Sequence, residues 1–572
     1  MRRKYSTLLF LLLIAALLPT RLRPNEARAA SVSDNDAVRY LNQSSFGATS
    51  QSIARVKQIG IVAHLGEQFT APMAEYPVME FWPSTQPVTC TNTAPSTCQR
   101  DNYSYYLLQK HFFTNALYGQ DQLRQRVAFA LSQILVTSSS DIPLPSWMRT
   151  YQQLLYASAF GNFRQLLYDV TLNPAMGRFL DMVNNRCQNR VPTNIAVCLG
   201  GSSFLPNENY AREIQQLFSV GTFLLNPDGT DQTDGQGNPV FTYTQQDITE
   251  FSRVFTGWIL APSLPPPPTS GVTELVPNYR DPMIPRLDSL SREVGHDRGA
   301  KTLLRGQQIP AGTSALLEMS MAMDNLAFHP NTAPYISKQL IQHLVTSNPT
   351  PNYVARIANV FSANANAANQ LELVVKALLL DSEARRVMKN RRTPHYGKLS
   401  EPILFMTNFL RAFNAASDGI LTNLTVGGSP IGASAMSQDV FRAPSVFSFY
   451  PPDYEVPGEA GILGPTFGIF NTRTALNRVN FVNRLVFSNI APALPDRPTG
   501  TSLDLAPWTA LASNPTNLVS ELNCLLLACS MSSAMQTQIV NALNAVPATN
   551  LLLRAQTAIY LIATSGQYNV QR

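Results

Sequence analysis

Charge is scarce in this chain. Asp, Glu, Lys and Arg make up 14% of its 572 residues, against about 25% in an ordinary soluble domain. Only eight of the 43 basic residues are lysine, and arginine suits fixed pairing with carboxylates better than lysine does. No run of basic residues stands out, which removes the electrostatic footprint of a nucleic-acid binder. After residue 29 there is no apolar run of 18 or more residues, the length a membrane-crossing helix needs. The usual catalytic signatures are missing too. There is no H-E-x-x-H, G-x-S-x-G, phosphate-binding loop or G-x-G-x-x-G. The six histidines are His64, His111, His296, His329, His343 and His395, and no two stand at i,i+2 or i,i+4. A metal pair borne on one helix is therefore excluded; no metal site is expected and no cofactor is indicated.

What the sequence does contain begins with a leader. Arg2, Arg3 and Lys4 precede an apolar stretch from Leu8 to Leu18, and Ala27-Arg28-Ala29 reads as a cleavage site. Residues 1–29 are expected to be a secretory signal, which places the protein in the periplasm or outside the cell. The formal charge of +6 belongs mostly to this segment; the remainder carries 37 basic against 36 acidic residues. Six cysteines fall into close pairs, Cys90/Cys98, Cys187/Cys198 and Cys524/Cys529. In an exported chain these read as three local disulfides, since no C-x-x-C or nearby histidine supports zinc.

The organising stretch is expected at 206–218. Asn207 can cap a helix, and Glu208 sits where the helix dipole favours an acid. Tyr210, Ile214, Leu217, Phe218 and Gly221 form one buried stripe, with Gly221 closing the helix in the left-handed conformation. Glu208/Arg212 and Asn209/Glu213 are i,i+4 pairs, and the two glutamates face different sides. Periodicity predicts further helices from Asp34, from Ser50 to about Phe69, over 121–136 and 147–182, and from Thr244 to Trp258. Others are expected from Thr313 through 380, then over 400–415, 470–488, 515–545 and 549–565. Long loops are expected near 82–101, 226–242, 262–300 and 490–515, the third proline-rich. The fold class is mainly α, a multi-helix body with at most a small β-hairpin near 226–239. Asp228, Asp231 and Asp234 there lack the alternate spacing of a calcium loop.

Candidate site residues follow from chemistry. The 121–136 helix is apolar on two lines, so Arg126 should be buried and should need an acid; Glu213 and Glu208 are the candidate partners. His296 beside Asp297, at the end of a long loop, could form a proton-transfer pair. Glu208 and Glu213 could each be one half of a carboxylate pair of the kind glycoside hydrolysis uses, the other half coming from Asp247, Asp297, Asp324 or Glu401. Glu208, Glu213, His296 and Asp297 are thus the catalytic candidates. Arg126, Arg212, Asn209 and His329 are the binding candidates, although His329 is also well placed to cap the following helix and His343 to sit at a core edge.

The stretch Asn207-Glu208-Asn209-Tyr210-Ala211-Arg212-Glu213, with Leu217-Phe218, resembles the hallmark of a large bacterial family catalogued as domain of unknown function 1800. Arg39-Tyr40-Leu41, Leu123 to Gln133, Tyr243-Thr244, Asp247 to Trp258 and His296-Asp297 agree in order. So do His329 to Pro334, Lys338 to Ile341, Pro444 to Phe447, Phe449-Tyr450, and Gln567 to Arg572. Ile214-Gln215-Gln216 is less acidic than the family pattern. The resemblance implies one large helical exported module over 30–572. It also implies a companion role beside exported sulfatase-like proteins, hence a surface or polysaccharide process. The expected function is binding or hydrolysis of an extracellular carbohydrate polymer in a polar cleft. The alternative is a non-enzymatic envelope assembly factor with a sulfatase-like partner.

Overall fold

Short polar side chains set where the helices begin. Ser33 accepts the Asp36 N–H ahead of the helix Asp34–Ser44, and Thr49 and Ser52 cap Ser50–Ile59 reciprocally. Thr244 with Asp247, and Asn471 with Thr474, do the same for Gln245–Val254 and Thr472–Phe487. The single helix expected from Ser50 to Phe69 is two, because Gly60 takes a φ of 85° between Ser50–Ile59 and Ile61–Thr70. The computed structural model describes residues 32–79, 98–142, 144–187, 205–265, 275–385, 395–493 and 498–572. The expected leader (1–29), Cys90, Cys198 and parts of the expected loops at 82–101, 262–300 and 490–515 lie outside these.

The fold is mainly α. One of its most enclosed helices is Gln122–Ile134, in which only Arg124 and Ser132 escape burial. This helix packs against Pro145–Ser158, Thr332–Leu344, Ile61–Thr70 and Asp34–Ser44. Thr332–Leu344, Pro351–Ala363 and Gln370–Leu380 stack in series, and Pro515–Leu527, Ser533–Ala545 and Leu551–Ala563 form a second group beside Thr472–Phe487. Phe46, Phe112 and Phe129 meet with ring centroids 5.6–5.7 Å apart, and Phe441 joins Phe112 at 5.8 Å.

The stretch expected to organise the chain is a short helix, Asn209–Gln216. Tyr210, Ala211 and Ile214 bury its inner face, and it packs on Gln245–Val254. Gly221 does adopt positive φ, 76°, where a β-carbon would meet the Tyr335 ring at 2.7 Å. Among the described residues the β content is five two-stranded antiparallel pairs. One of them joins Lys398–Leu399 to Val570–Gln571, and three bridges bind the 223–241 turn region. Asp228 and Asp234 accept backbone N–H groups within those turns. Cys524 and Cys529 form a disulfide, and Cys98 and Cys187 are also disulfide-bonded. No helix of the described residues is long and apolar enough to cross a membrane.

Candidate functional site

The residues singled out from sequence occupy five separate environments. On the outer side of Asn209–Gln216, Glu208 lies 3.5 Å from Arg212 and accepts from Gln245 at 2.8 Å and Thr249 at 3.0 Å. Asn209 donates to Asp181 and Arg212 to Gln245. The N-cap position falls on Glu208, one residue later than expected, and Asn207 before it accepts the Asn209 N–H at 2.8 Å. Glu213 faces the other way. It is 9% exposed, its Oε2 is enclosed without a hydrogen-bond partner, and burial raises its pKa against the opposing pull of Arg212.

His296 and Asp297 enter a dry ionic cluster, each with its own partners. Arg253 grips Asp297 with two bonds, Nε to Oδ2 at 2.9 Å and Nη2 to Oδ1 at 3.1 Å, and reaches Glu250 at 2.7 Å. Lys301 Nζ meets Glu318 Oε2 at 2.7 Å and the Asp297 carbonyl at 2.5 Å. His296 donates from Nδ1 to the Thr256 carbonyl at 2.9 Å, while Nε2 lies 3.2 Å from Glu318. Every charged side chain here is 9% exposed or less. Such a network fixes the loop onto the Gln245–Val254 helix; it leaves no opening through which a substrate could reach the carboxylate of Asp297. His329 braces the entry to the helix Thr332–Leu344, its Nδ1 accepting the N–H of the N-cap residue Asn331 at 3.1 Å. Burial, then Arg305, lowers its pKa to about 4.

Arg126 is fully buried, as its helix requires, but the acid that bears on it is Glu401 and not Glu208 or Glu213. Around Glu401 gather Lys398, Arg126 and Arg478. Lys398 Nζ is 3.9 Å from Glu401 Oε1, and Gln438 and Tyr450 donate to Oε2 at 2.6 and 3.0 Å. Arg126 and Lys398 both donate to the His343 carbonyl at 2.5 Å. Burial opposes ionisation of Glu401, but Lys398 and Arg126 outweigh it and hold the carboxyl below its ordinary range. Burial, then Arg126, brings Lys398 down to about 7; burial chiefly brings His343 down to about 3. Lys398, His343, Gln133, Ser448, Thr466 and Tyr450 line a small pocket in front of this cluster. Four stretches that carry the family resemblance converge on it, supplying Gln133, Leu217, Gln339 and Val446-Phe447 with Tyr450.

A second and far larger cavity shares no residue with the first. It runs between the Asp34–Ser44, Ser50–Ile59 and Ile61–Thr70 helices and the segments 411–414 and 504–508. The centre of a water-sized molecule can move through about 820 Å³ here, against about 40 Å³ in the Lys398 pocket. Gln51, Gln120 and Asn414 present exposed amides. Tyr118, 50% exposed, and Trp508, stacked edge-on against Phe413 at 5.8 Å, supply aromatic surface. The charges are few and balanced, with Arg55 paired to Glu67 and with Arg411 and Asp504 adding one charge of each sign. Glu208, Glu213, His296 and Asp297 line neither cavity.

These features define a helical protein with one broad polar groove and one small, cation-backed pocket. The chain belongs to the family described as Protein of unknown function (DUF1800), whose model matches residues 39–570. No curated protein and no solved structure matches it.

Proposed function

We propose that the protein is exported and binds an extracellular carbohydrate polymer in the groove bordered by Tyr118 and Trp508. The observation that carries this reading is the groove itself. Its open space suits several linked units rather than one small ligand, and its wall combines amides, hydroxyls and aromatic rings with little net charge. Sugars present hydroxyls to the first two and apolar ring faces to the third, so binding needs no strong electrostatic partner. The polymer is therefore a neutral one. Hydrolysis is not part of the proposal, because the expected acids stand elsewhere and Glu67 is already paired with Arg55. The leader at 1–29 supports export.

The test is affinity electrophoresis and calorimetry against a panel of neutral and acidic polysaccharides. Binding of a neutral polymer should weaken about fivefold in Trp508→Ala and in Tyr118→Ala, the equivalent of about 1 kcal/mol of aromatic contact. Indifference of both variants, or a failure of wild type to bind any polymer, overturns the reading. Capture instead of an exported sulfatase-like protein, at the same groove, would favour the envelope-assembly alternative.

A further inference from the structure

The cluster behind the small pocket is out of electrical balance. Arg126, Lys398 and Arg478 are 0%, 6% and 2% exposed, and Glu401, at 0%, is the carboxylate that bears on all three. Tyr450, His343 and, beside Arg478, Tyr568 are the other titratable neighbours, and Asp453, exposed, acts on Tyr335 at the pocket's edge. Buried cations demand paired counter-charge or hydrogen bonds. Here that demand is met only in part: Arg126 bonds the His343 carbonyl and Arg478 bonds Asn569 and lies over the Phe405 and Phe470 rings, but Nε and Nη1 of Arg126 and Nε of Arg478 have no hydrogen-bond partner. Gln133, 7% exposed and in the pocket wall, leaves both ends of its amide unused.

We infer that the pocket lined by Lys398, Gln133, Ser448, Thr466 and Tyr450 is a binding site for one small oxyanion, a carboxylate or a sulfate. Lys398 supplies the charge at the wall, with Arg126 and Arg478 behind it contributing field rather than contact. The Gln133 amide and the Ser448 hydroxyl supply neutral donors, while the Thr466 hydroxyl is bonded to Tyr450 and only lines the wall. The space available, about 40 Å³ for the centre of a water-sized molecule, admits a group of a few heavy atoms and excludes a polymer backbone. The Nζ of Lys398 keeps two of its three hydrogens beyond the bond to His343 O, so one can turn to the anion while another faces Glu401. The inference is independent of the groove, which has no residue in common with this pocket.

The test is calorimetric titration of the full, extensively dialysed chain with sodium acetate, sodium sulfate and sodium phosphate, at constant ionic strength kept with sodium chloride. Saturable one-to-one binding of acetate or of sulfate is expected, and which of the two binds distinguishes a carboxylate ligand from a sulfate ester. Lys398→Met should weaken it at least tenfold. Because that change also alters a buried charge, Gln133→Leu is the second variant. It leaves every charge in place and should weaken binding severalfold while circular dichroism and the unfolding midpoint stay near wild type. Absence of saturation up to about 10 mM, ten times the constant of a millimolar site, overturns the assignment. So does equal binding in wild type and a folded Gln133→Leu.

Discussion

Gly257 lies directly against the backbone of His296. A β-carbon on Gly257 would come within 2.7 Å of His296 N and 2.9 Å of its Cα, and Gly257 holds a φ of 80°. Both the contact and the conformation require glycine. Gly257→Ala should therefore push the 295–301 segment off the Gln245–Val254 helix, at a cost of about 3 kcal/mol or more from strain and lost ion pairs. Urea unfolding should show a lower midpoint, and hydrogen exchange should show lost protection at Thr256 and Lys301.

Removing a partner from the ionic cluster should cost more than removing one from the outer face of the Asn209–Gln216 helix. Asp297→Ala leaves Arg253 buried and short of charge, and a loss of about 3–5 kcal/mol is expected. Glu208→Ala breaks a pair whose members are a third or more exposed, so about 0–1 kcal/mol is expected. Comparable losses from chemical denaturation of the two variants would contradict this account of the cluster.

Glu213 should behave as a tolerated misfit. Its enclosed, unpartnered oxygen and raised pKa mean that the ionised form is disfavoured on folding, so its contribution falls as pH rises past the ordinary glutamate range. Glu213→Gln should equal or exceed wild-type stability at pH 7 by about 1 kcal/mol and should leave polymer binding unchanged. A marked loss of either, seen in unfolding or calorimetry, would give this carboxylate a role of its own.

Lys398 predicts a pH dependence of opposite sense. Its folded pKa, about 7, lies below the ordinary 10.5, so between those values the unfolded chain binds more protons than the folded one. Stability from this group therefore rises with pH from about 7 towards 10.5, by at most about 1.4 kcal/mol per unit. Below pH 7 the penalty is fully present. Lys398→Met should lack the rise, and the difference between the two unfolding profiles isolates it from other titrating groups.

Local chemistry was readable where one helix decides it. The buried line through Arg126 and Gln133 and the divergence of Glu208 from Glu213 both follow from spacing of 3.6 residues per turn. Partnerships across the chain were not. Arg126 finds Glu401, 275 positions later, and nothing near either residue announces the other. His296 and Asp297 are neighbours in sequence, yet their side chains part, the imidazole turning to Glu318 and the carboxylate to Arg253. Lys398 sits in a two-residue strand, too short to leave a periodic signature, and its low pKa arises from burial that only tertiary packing creates. The groove joins Tyr118 to Trp508, and the stretch 490–515, expected as a loop, holds Trp508 in the short helix Ala506–Leu511.

The pairing of Lys398–Leu399 with Val570–Gln571 has a consequence for timing. Gln571 donates to the Leu344 carbonyl at 2.9 Å, and Arg39 reaches the Arg572 carbonyl at 3.2 Å. The strand that positions Lys398 thus gains its neighbour only when the 570–572 segment has been synthesised. The wall beside Lys398 therefore rests on a pairing of very high sequence separation, which makes it a late contact in folding and not a local one.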